Sequence, residues 1–429
     1  MEGMKKGLPS SLLSASTLFC LCASLSSPVM AQDSFRKDPS INRTVKDRAL
    51  KLFEEDVIAQ QKPVSYFVGG QIQGLYDDNI YADDMNEESD MIAIVSPALG
   101  IAKNFSKGTL ALAAKADLAF FQDNDDENYE DIFLIANTSY EIFNNLTVTV
   151  AGGYNMLSED REAPNSAASA AERTEYDEID AFFEVKYKPN RVSVAASIEY
   201  ESLDFDDVRR IGGGIIDTDD RDRTEKVYAL RLGYDLKPDL ELFFKGQYEV
   251  TEYDQRLDSS GLARDNDGYR ALVGLNGNFT KNLLGEVYVG YLEKEYDDAN
   301  LEIIDGPAYG ASVDWNMTKL TTISLSAERE IGETIEIDAA GIDQYSFKLD
   351  LSHELTRDWY ITALTSIGNQ SYEGIAREDD LLGFNLGTTY KLNRWAALNL
   401  GYSYAQRDSS INANDYEINR AFLGLGVKY

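Results

Sequence analysis

Only one histidine, His353, occurs in the 429 residues, so any hydrolase of the Ser-His type would have to use it. It follows Leu349 and Leu351 at a spacing of two in YSFKLDLSHEL and precedes LTRDW. On a strand that spacing puts the imidazole on the leucines' face, which fits a structural histidine better than a general base. Glu199 with Glu201, or Asp206 with Asp207, could in principle do the paired acid–base work of a glycosidase. With 74 Asp and Glu in the chain, such pairs arise by chance. Two acidic runs, DNDDEN at 123–128 and DTDDRD at 217–222, offer the hard oxygens that Ca²⁺ prefers. Neither carries the glycine or closing glutamate of an EF-hand loop, so solvated acidic loops are the plainer expectation. Weak divalent binding is the chemistry they could support. No catalytic residue, cofactor or tightly held metal is expected.

The totals narrow the class. Acidic residues outnumber basic ones 74 to 40, for a net charge of −34, which repels nucleic acid. The 26 Tyr and 18 Phe argue against disorder. Residues 1–31 have Lys5 and Lys6, an apolar stretch and a small-residue end at Ala31, the layout of a secretory signal peptide. Cys20 and Cys22, the chain's two cysteines, would leave with it, so no disulfide is expected. Residues 32–62 read as a polar periplasmic leader with room for one short helix capped by Thr44. No later run approaches the roughly 20 apolar residues of a membrane helix.

From residue 63 to 429 the pattern is period two. LTVTVAGGYNM puts Leu146, Val148, Val150, Tyr154 and Met156 on one face, and YSFKLDLSHEL splits in the same way. Short connections such as FNNL, KPNR, LKPD and LTRD take turns with long ones rich in Asp, Gly and Ser. Eighteen strands, with sixteen as the lower bound, eight short turns and nine long loops follow. A soluble sandwich does not explain this strict alternation. A transmembrane antiparallel up-and-down β-barrel does, with short periplasmic turns and long acidic extracellular loops. Trp315, Trp359 and Trp395 each stand next to a short turn, which would place them in one interfacial aromatic belt. The chain ends on Leu423, Leu425, Val427 and Tyr429 at a spacing of two, a pattern similar to the carboxy-terminal signal read by the barrel-assembly machinery. Inward parity gives Lys115, Asp117, Glu184, Lys186, Glu199, Arg231, Lys245, Glu249, Glu286, Glu328, Lys348 and Asp350 as the candidate pore lining. A wall of mixed charge either tunes solute selectivity or neutralises itself across strands.

LYDDNIY at 75–81, LGYDLKPDLELFF at 232–244, VGYLEKEYDD at 289–298 and VDWNMTKLTT at 313–322 carry a further signal. With DRDR at 220–223, AREDD at 376–380 and YAQRDSS at 404–410, the chain resembles the outer-membrane β-barrel porins of proteobacteria often encoded with exopolysaccharide genes. The resemblance implies a barrel in the Gram-negative outer membrane, in contact with its lipid and lipopolysaccharide. By genomic habit it also implies a link to exopolysaccharide export components or surface assembly. It implies no catalytic residues. A passive aqueous channel is therefore expected, with a loop-occluded scaffold or adhesion platform as the alternative and an outer-membrane hydrolase as a remote third.

Overall fold

A computed structural model describes residues 64–429. The signal peptide and the leader, residues 1–62, lie outside the described residues. Seven strands open the described residues: β1 (Val64–Asp77), β2 (Asp90–Phe105), β3 (Gly108–Phe121), β4 (Tyr129–Phe143), β5 (Leu146–Ser158), β6 (Glu175–Tyr187) and β7 (Val192–Phe205). Two short strands, β8 (Val208–Arg209) and β9 (Ile215–Ile216), make a small hairpin within a loop. Then come β10 (Arg223–Lys237), β11 (Leu240–Tyr253), β12 (Asn266–Asn278), β13 (Leu283–Tyr296), β14 (Ile304–Trp315) and β15 (Thr321–Gly332). The last five are β16 (Ile342–Thr356), β17 (Trp359–Tyr372), β18 (Arg377–Lys391), β19 (Ala396–Ser409) and β20 (Tyr416–Lys428). All but β8 and β9 form one antiparallel sheet of 18 strands.

The sheet closes. β20 pairs with β1 from Gly69↔Lys428 to Asp77↔Arg420, so neither terminal strand leaves a bare edge to lipid. The last residue continues the ladder: Tyr429 N–H donates to Val68 O at 2.8 Å and Val68 N–H to Tyr429 O at 3.2 Å. Leu423, Leu425, Val427 and Tyr429 all point outward and are exposed, while Arg420 and Phe422 point inward and are buried. The Tyr429 ring lies on Trp395, centroids 5.1 Å apart and nearly parallel. Deleting Tyr429 removes two ladder bonds and this stack together. It is expected to lower the fraction of heat-modifiable, folded barrel recovered from the outer membrane, whereas Tyr429→Phe keeps both features and is expected to leave that fraction unchanged.

Connections alternate as the sequence implies. Turns at one end run from two residues, as at 106–107, to five, as at 316–320; the long connections gather at the other end, the longest at 159–174 and 206–222. The outer face is apolar: along β10, Tyr228, Leu230, Leu232 and Tyr234 are all exposed, while Val227 and Gly233, of the opposite parity, are buried. Water would penalise such a surface, and acyl chains cover it. Trp315, Trp359 and Trp395 stand on this face at the short-turn end. Trp359 Nε1 donates to Thr388 Oγ1 at 2.6 Å. His353 sits opposite Thr321 in the ladder, with its Nδ1 2.9 Å from the Thr321 hydroxyl, in the half of the wall near the short turns.

The acidic loop roots have a local cause. Where a strand pair ends, its last amide loses its cross-strand partner, and a side-chain oxygen from the other side of the loop accepts it. Asn128 takes the Phe121 N–H at 2.7 Å, Asp222 that of Phe205 at 2.7 Å, Asp265 that of Tyr253 at 2.7 Å and Asp415 that of Ser409 at 2.7 Å. Asp90 does more, receiving the amides of Gln122 at 3.1 Å, Asp123 at 3.2 Å and Asn124 at 3.0 Å. Four loop-root aspartates, Asp90, Asp222, Asp265 and Asp415, thus finish the sheet.

Candidate functional site

All twelve candidate lining residues face the lumen, and the structure gathers them in groups. Glu184, Lys186, Glu199, Arg231, Lys245 and Glu286 border one cavity of 650 Å³ in the half nearest the short turns. Arg231 is held there from two sides. Its Nη1 meets Glu286 at 2.9 Å and its Nη2 meets Glu241 at 3.0 Å, while the guanidinium lies 3.7 Å over the Phe243 ring. Ser193 donates to Glu241 at 2.9 Å and Asn276 to Glu286 at 2.8 Å. Both carboxylates are therefore anchored, and the arginine is fixed in place. Lys186 and Lys245 line the same cavity, and among the described residues no carboxylate stands at ion-pair distance from either. Lys115 pairs with the fully buried Asp117 at 2.6 Å. Glu249 stands between Lys294 at 3.5 Å and Arg270 at 3.9 Å. Glu328, Lys348 and Asp350 occupy the inner faces of β15 and β16, with Ser352 donating to Asp350 at 3.3 Å.

The lumen also carries charges that strand parity in the sequence missed. Arg223, Glu225, Lys294, Arg377, Asp379, Arg407, Arg420 and Asp77 all point inward near the long-loop end. In the sequence Arg223, Arg377 with Asp379, and Arg407 sit in DRDR, AREDD and YAQRDSS, which read as loop roots. Their signal was present, since Arg223, Arg377 and Arg407 each keep strict parity with the strand that holds them.

Two loops fold into the extracellular mouth and meet. The 159–174 segment is fastened along its length by buried ion pairs: Arg221 to Glu159 at 3.0 Å, Arg173 to Asp160 at 2.8 Å and Arg161 to Glu127 at 3.1 Å. Glu162 pairs with Arg420, and its carbonyl accepts from Arg407 at 2.6 Å. Asn165 then reaches the 333–341 segment, donating to Glu333 O at 3.3 Å and accepting from Thr334 Oγ1 at 3.3 Å and Ile335 N–H at 3.4 Å. From the other side, Glu333 takes Lys294, the Tyr253 hydroxyl at 2.8 Å and Asn266 at 3.2 Å. Arg264 holds the carbonyls of Ala339 at 3.0 Å and Glu336 at 3.1 Å. Guanidinium groups lie over wall aromatics, Arg221 4.0 Å from Phe205, Arg377 4.0 Å from Tyr372 and Arg173 4.7 Å from Tyr129, contacts that are strong where water is excluded. In the glycine-bearing loop at 211–222, long enough to fold inward as well, the 211–216 tip is exposed, while Thr218, Asp220 and Arg221 are buried.

Electrostatics in these loops follow burial. Burial pushes the Glu162 carboxyl up, against the pull of Arg420. Burial would do the same to Glu333, but Lys294 and Arg223 hold it below the usual range. At a loop root, burial pushes Asp222 up to about 6, with Asp204, Asp219 and Asp254 adding to the rise and the Phe205 amide opposing it. A carboxyl whose folded pKa exceeds its unfolded value binds protons on folding, so this root is stabilised as pH falls through about 6 and loses that stabilisation above it. Amide exchange at Phe205 is therefore expected to be slower at pH 5 than at pH 7 after correction for intrinsic rates. Asp222→Asn is expected to flatten that difference.

Of the two acidic runs, DNDDEN spends Glu127 on Arg161 and Arg173. Asp217 and Asp219 of the second, with Asp207, bring carboxylate oxygens within 4.8 Å of one another at exposed positions.

A closed antiparallel barrel of 18 strands with an apolar outer face, a charged lumen and inward-folded loops is an integral protein of the Gram-negative outer membrane. The chain belongs to the family described as "Putative beta-barrel porin 2", whose model matches residues 67–429. No curated protein matches it significantly. Among solved structures it is similar to the outer membrane protein OpdK of Pseudomonas aeruginosa, at 11% identity over 85% of this chain and 99% of that one, with a TM-score of 0.44. OccK3 (OpdO) of the same organism gives 13% identity over 90% and 99%, with a TM-score of 0.44. The ferric enterobactin receptor PfeA, again of P. aeruginosa, gives 7% identity over 86% and 82%, with a TM-score of 0.46.

Proposed function

We propose that the protein is a passive, porin-type channel for small hydrophilic solutes, narrowed at its outer mouth by the 159–174 and 333–341 loops. The observation that carries this reading is the 650 Å³ cavity with Arg231, Glu241, Glu286, Lys186 and Lys245 around it. A wall of anchored charges costs desolvation unless water or solute fills the space beside it. Facing rows of opposite charge then order that water and favour polar solutes. The acidic exterior should draw cations to the mouth, most strongly at low salt. Purified protein in a planar bilayer with a KCl gradient is therefore expected to give small, steady steps and a reversal potential of cation preference. Anion preference would contradict the reading of the mouth, and complete silence from a folded barrel would favour the scaffold.

A loop-closed scaffold is the second reading, and the Asn165 bridge between the two loops is what favours it. The link to exopolysaccharide export comes from the family resemblance. A glycan chain threading this lumen would have to displace that bridge, so export would require an opened state. The inner-face positions of the twelve charges support a pore-lining role. The outward Leu423, Leu425, Val427 and Tyr429 and the three indoles suit an assembly signal and an interfacial belt. Contact with lipopolysaccharide phosphates through a divalent ion would fall to Asp207, Asp217 and Asp219.

A further inference from the structure

One seam of the wall differs from its neighbours. β13 pairs with β14 up to Lys294↔Ile304, and β15 with β16 up to Gly332↔Ile342. Between β14 and β15 the ladder runs only from Trp315↔Ile323 to Gly310↔Glu328. Above that point residues 304–309 of β14 and 329–332 of β15 part, in the half of the wall that faces the outer leaflet. A side chain takes over from the ladder. Arg329 donates to Pro307 O at 2.8 Å and Asp305 O at 3.3 Å, and grips Asp343 on the next strand at 2.8 Å.

The local sequence suits a joint without a ladder. Pro307 has no N–H to leave bare on the β14 edge. Gly306 has φ +137°, and a Cβ there would stand 3.0 Å from Arg329 Nη1, so a side chain would crowd the latch. Behind this seam the inner face of the wall carries an apolar cluster. Leu272, Leu292, Ile304, Ala308, Ile331 and Ala340 pack into one buried cluster. Ile331 has the outward parity of β15 yet packs with inward residues of β14, so the upper end of β15 laps inside β14. On the outer side Tyr309 and Tyr345 stack with centroids 6.3 Å apart. At this height the 159–174 and 333–341 loops meet across the mouth.

We infer that the β14–β15 seam is a lateral portal, latched by Arg329 and Asp343, through which an acyl-bearing amphiphile passes between the lumen and the outer leaflet. The wall separates there at low cost, because parting the strands breaks side-chain bonds and an apolar contact rather than a run of ladder bonds. An acyl chain replaces the apolar contact, and water replaces the latch. This portal is independent of the aqueous path through the cavity.

The test uses the full chain in proteoliposomes containing diazirine-bearing palmitic acid, photolysed and mapped by peptide mass spectrometry. Labelling of the inward-facing Leu292 and Ile304 is expected in the native chain, rising several-fold in Arg329→Gln. Ala308→Cys with Ile331→Cys, joined by a short bismaleimide in a chain with Cys20→Ser and Cys22→Ser, is expected to abolish it and leave ion conductance unchanged. If the outward-facing Leu349 and Tyr345 are labelled alike in all variants and Leu292 and Ile304 in none, the portal is wrong. If Arg329→Gln raises ion current without inward labelling, the seam gates water rather than lipid, and the inference falls. Should Arg329→Gln not assemble, the native and cross-linked chains still decide between these outcomes.

Discussion

Replacing residues 160–172 by a short Gly-Ser linker is expected to raise single-channel conductance several-fold while the barrel stays folded. The segment touches Glu127, Arg407, Arg420 and the 333–341 loop, and so spans from one side of the mouth to the other. Every ladder of the barrel sheet lies outside it, and the Ala170↔Arg210 bridge to the neighbouring loop is lost with it. The groups it leaves behind face a widened, wet lumen, so they regain hydration instead of staying buried and unpaired. Stability should therefore suffer less than the number of lost ion pairs suggests. Asn165→Ala is the milder version. It removes three bonds of 3.3–3.4 Å, each worth about 0.5–1.5 kcal/mol net, and should add brief openings to a mostly unchanged baseline. Ile211→Ser with Ile215→Ser, exposed side chains of the 211–216 tip, is the control and should change nothing. Should the excised variant conduct like the native chain, the constriction lies elsewhere. A silent excised variant with intact heat-modifiability would leave the scaffold as the better reading.

The barrel was legible because its rules are local. Period two, the alternation of short and long connections and the outward Leu423, Leu425, Val427 and Tyr429 depend only on neighbours in sequence. Parity also sufficed to put Lys115, Arg231 and Lys245 inside, since a strand buried on one face has its register fixed. What sequence could not give was which charge meets which. Arg231 finds Glu241 and Glu286 ten and 55 positions away, and Glu162 finds Arg420 across the closing strands. Those distances depend on barrel circumference and on how loops fold back, neither of which has a periodic signature. The same limit hid the part-open seam. Pro307 and Gly306 are visible as strand-weakening residues, but their pairing with Arg329 is a fact of three dimensions. The upper lumen charges were missed for another reason: Arg223, Arg377 and Arg407 stand where strand becomes loop, and composition there looks like loop.

Arg420→Met should be among the most damaging single changes in the chain. Arg420 is buried, lies opposite Asp77 across the strand pair that closes the barrel, and meets Asp77 at 2.6 Å and Glu162 of the inward loop. One guanidinium thus neutralises two buried carboxylates. Removing it leaves both without their cation, and breaking a buried pair in this way costs about 3–5 kcal/mol. The midpoint of the heat-modifiability transition is expected to fall sharply, and the loop that Glu162 anchors should come loose, adding conductance. Neutralising the orphans should reverse much of this: Arg420→Met with Asp77→Asn and Glu162→Gln is expected to recover most of the lost midpoint. pH gives an independent check. Burial already pushes the docked Glu162 carboxyl up, and Arg420 is the group that opposes it, so losing Arg420 raises it further. A carboxyl with a higher pKa docked than free takes up a proton on docking, so acid favours the docked loop. The Arg420→Met channel should therefore conduct more than the native one at neutral pH and close as pH falls, whereas Glu162→Gln should abolish that acid closure. Conductance of Arg420→Met that stays flat with pH would mean that Glu162 is not the anchor.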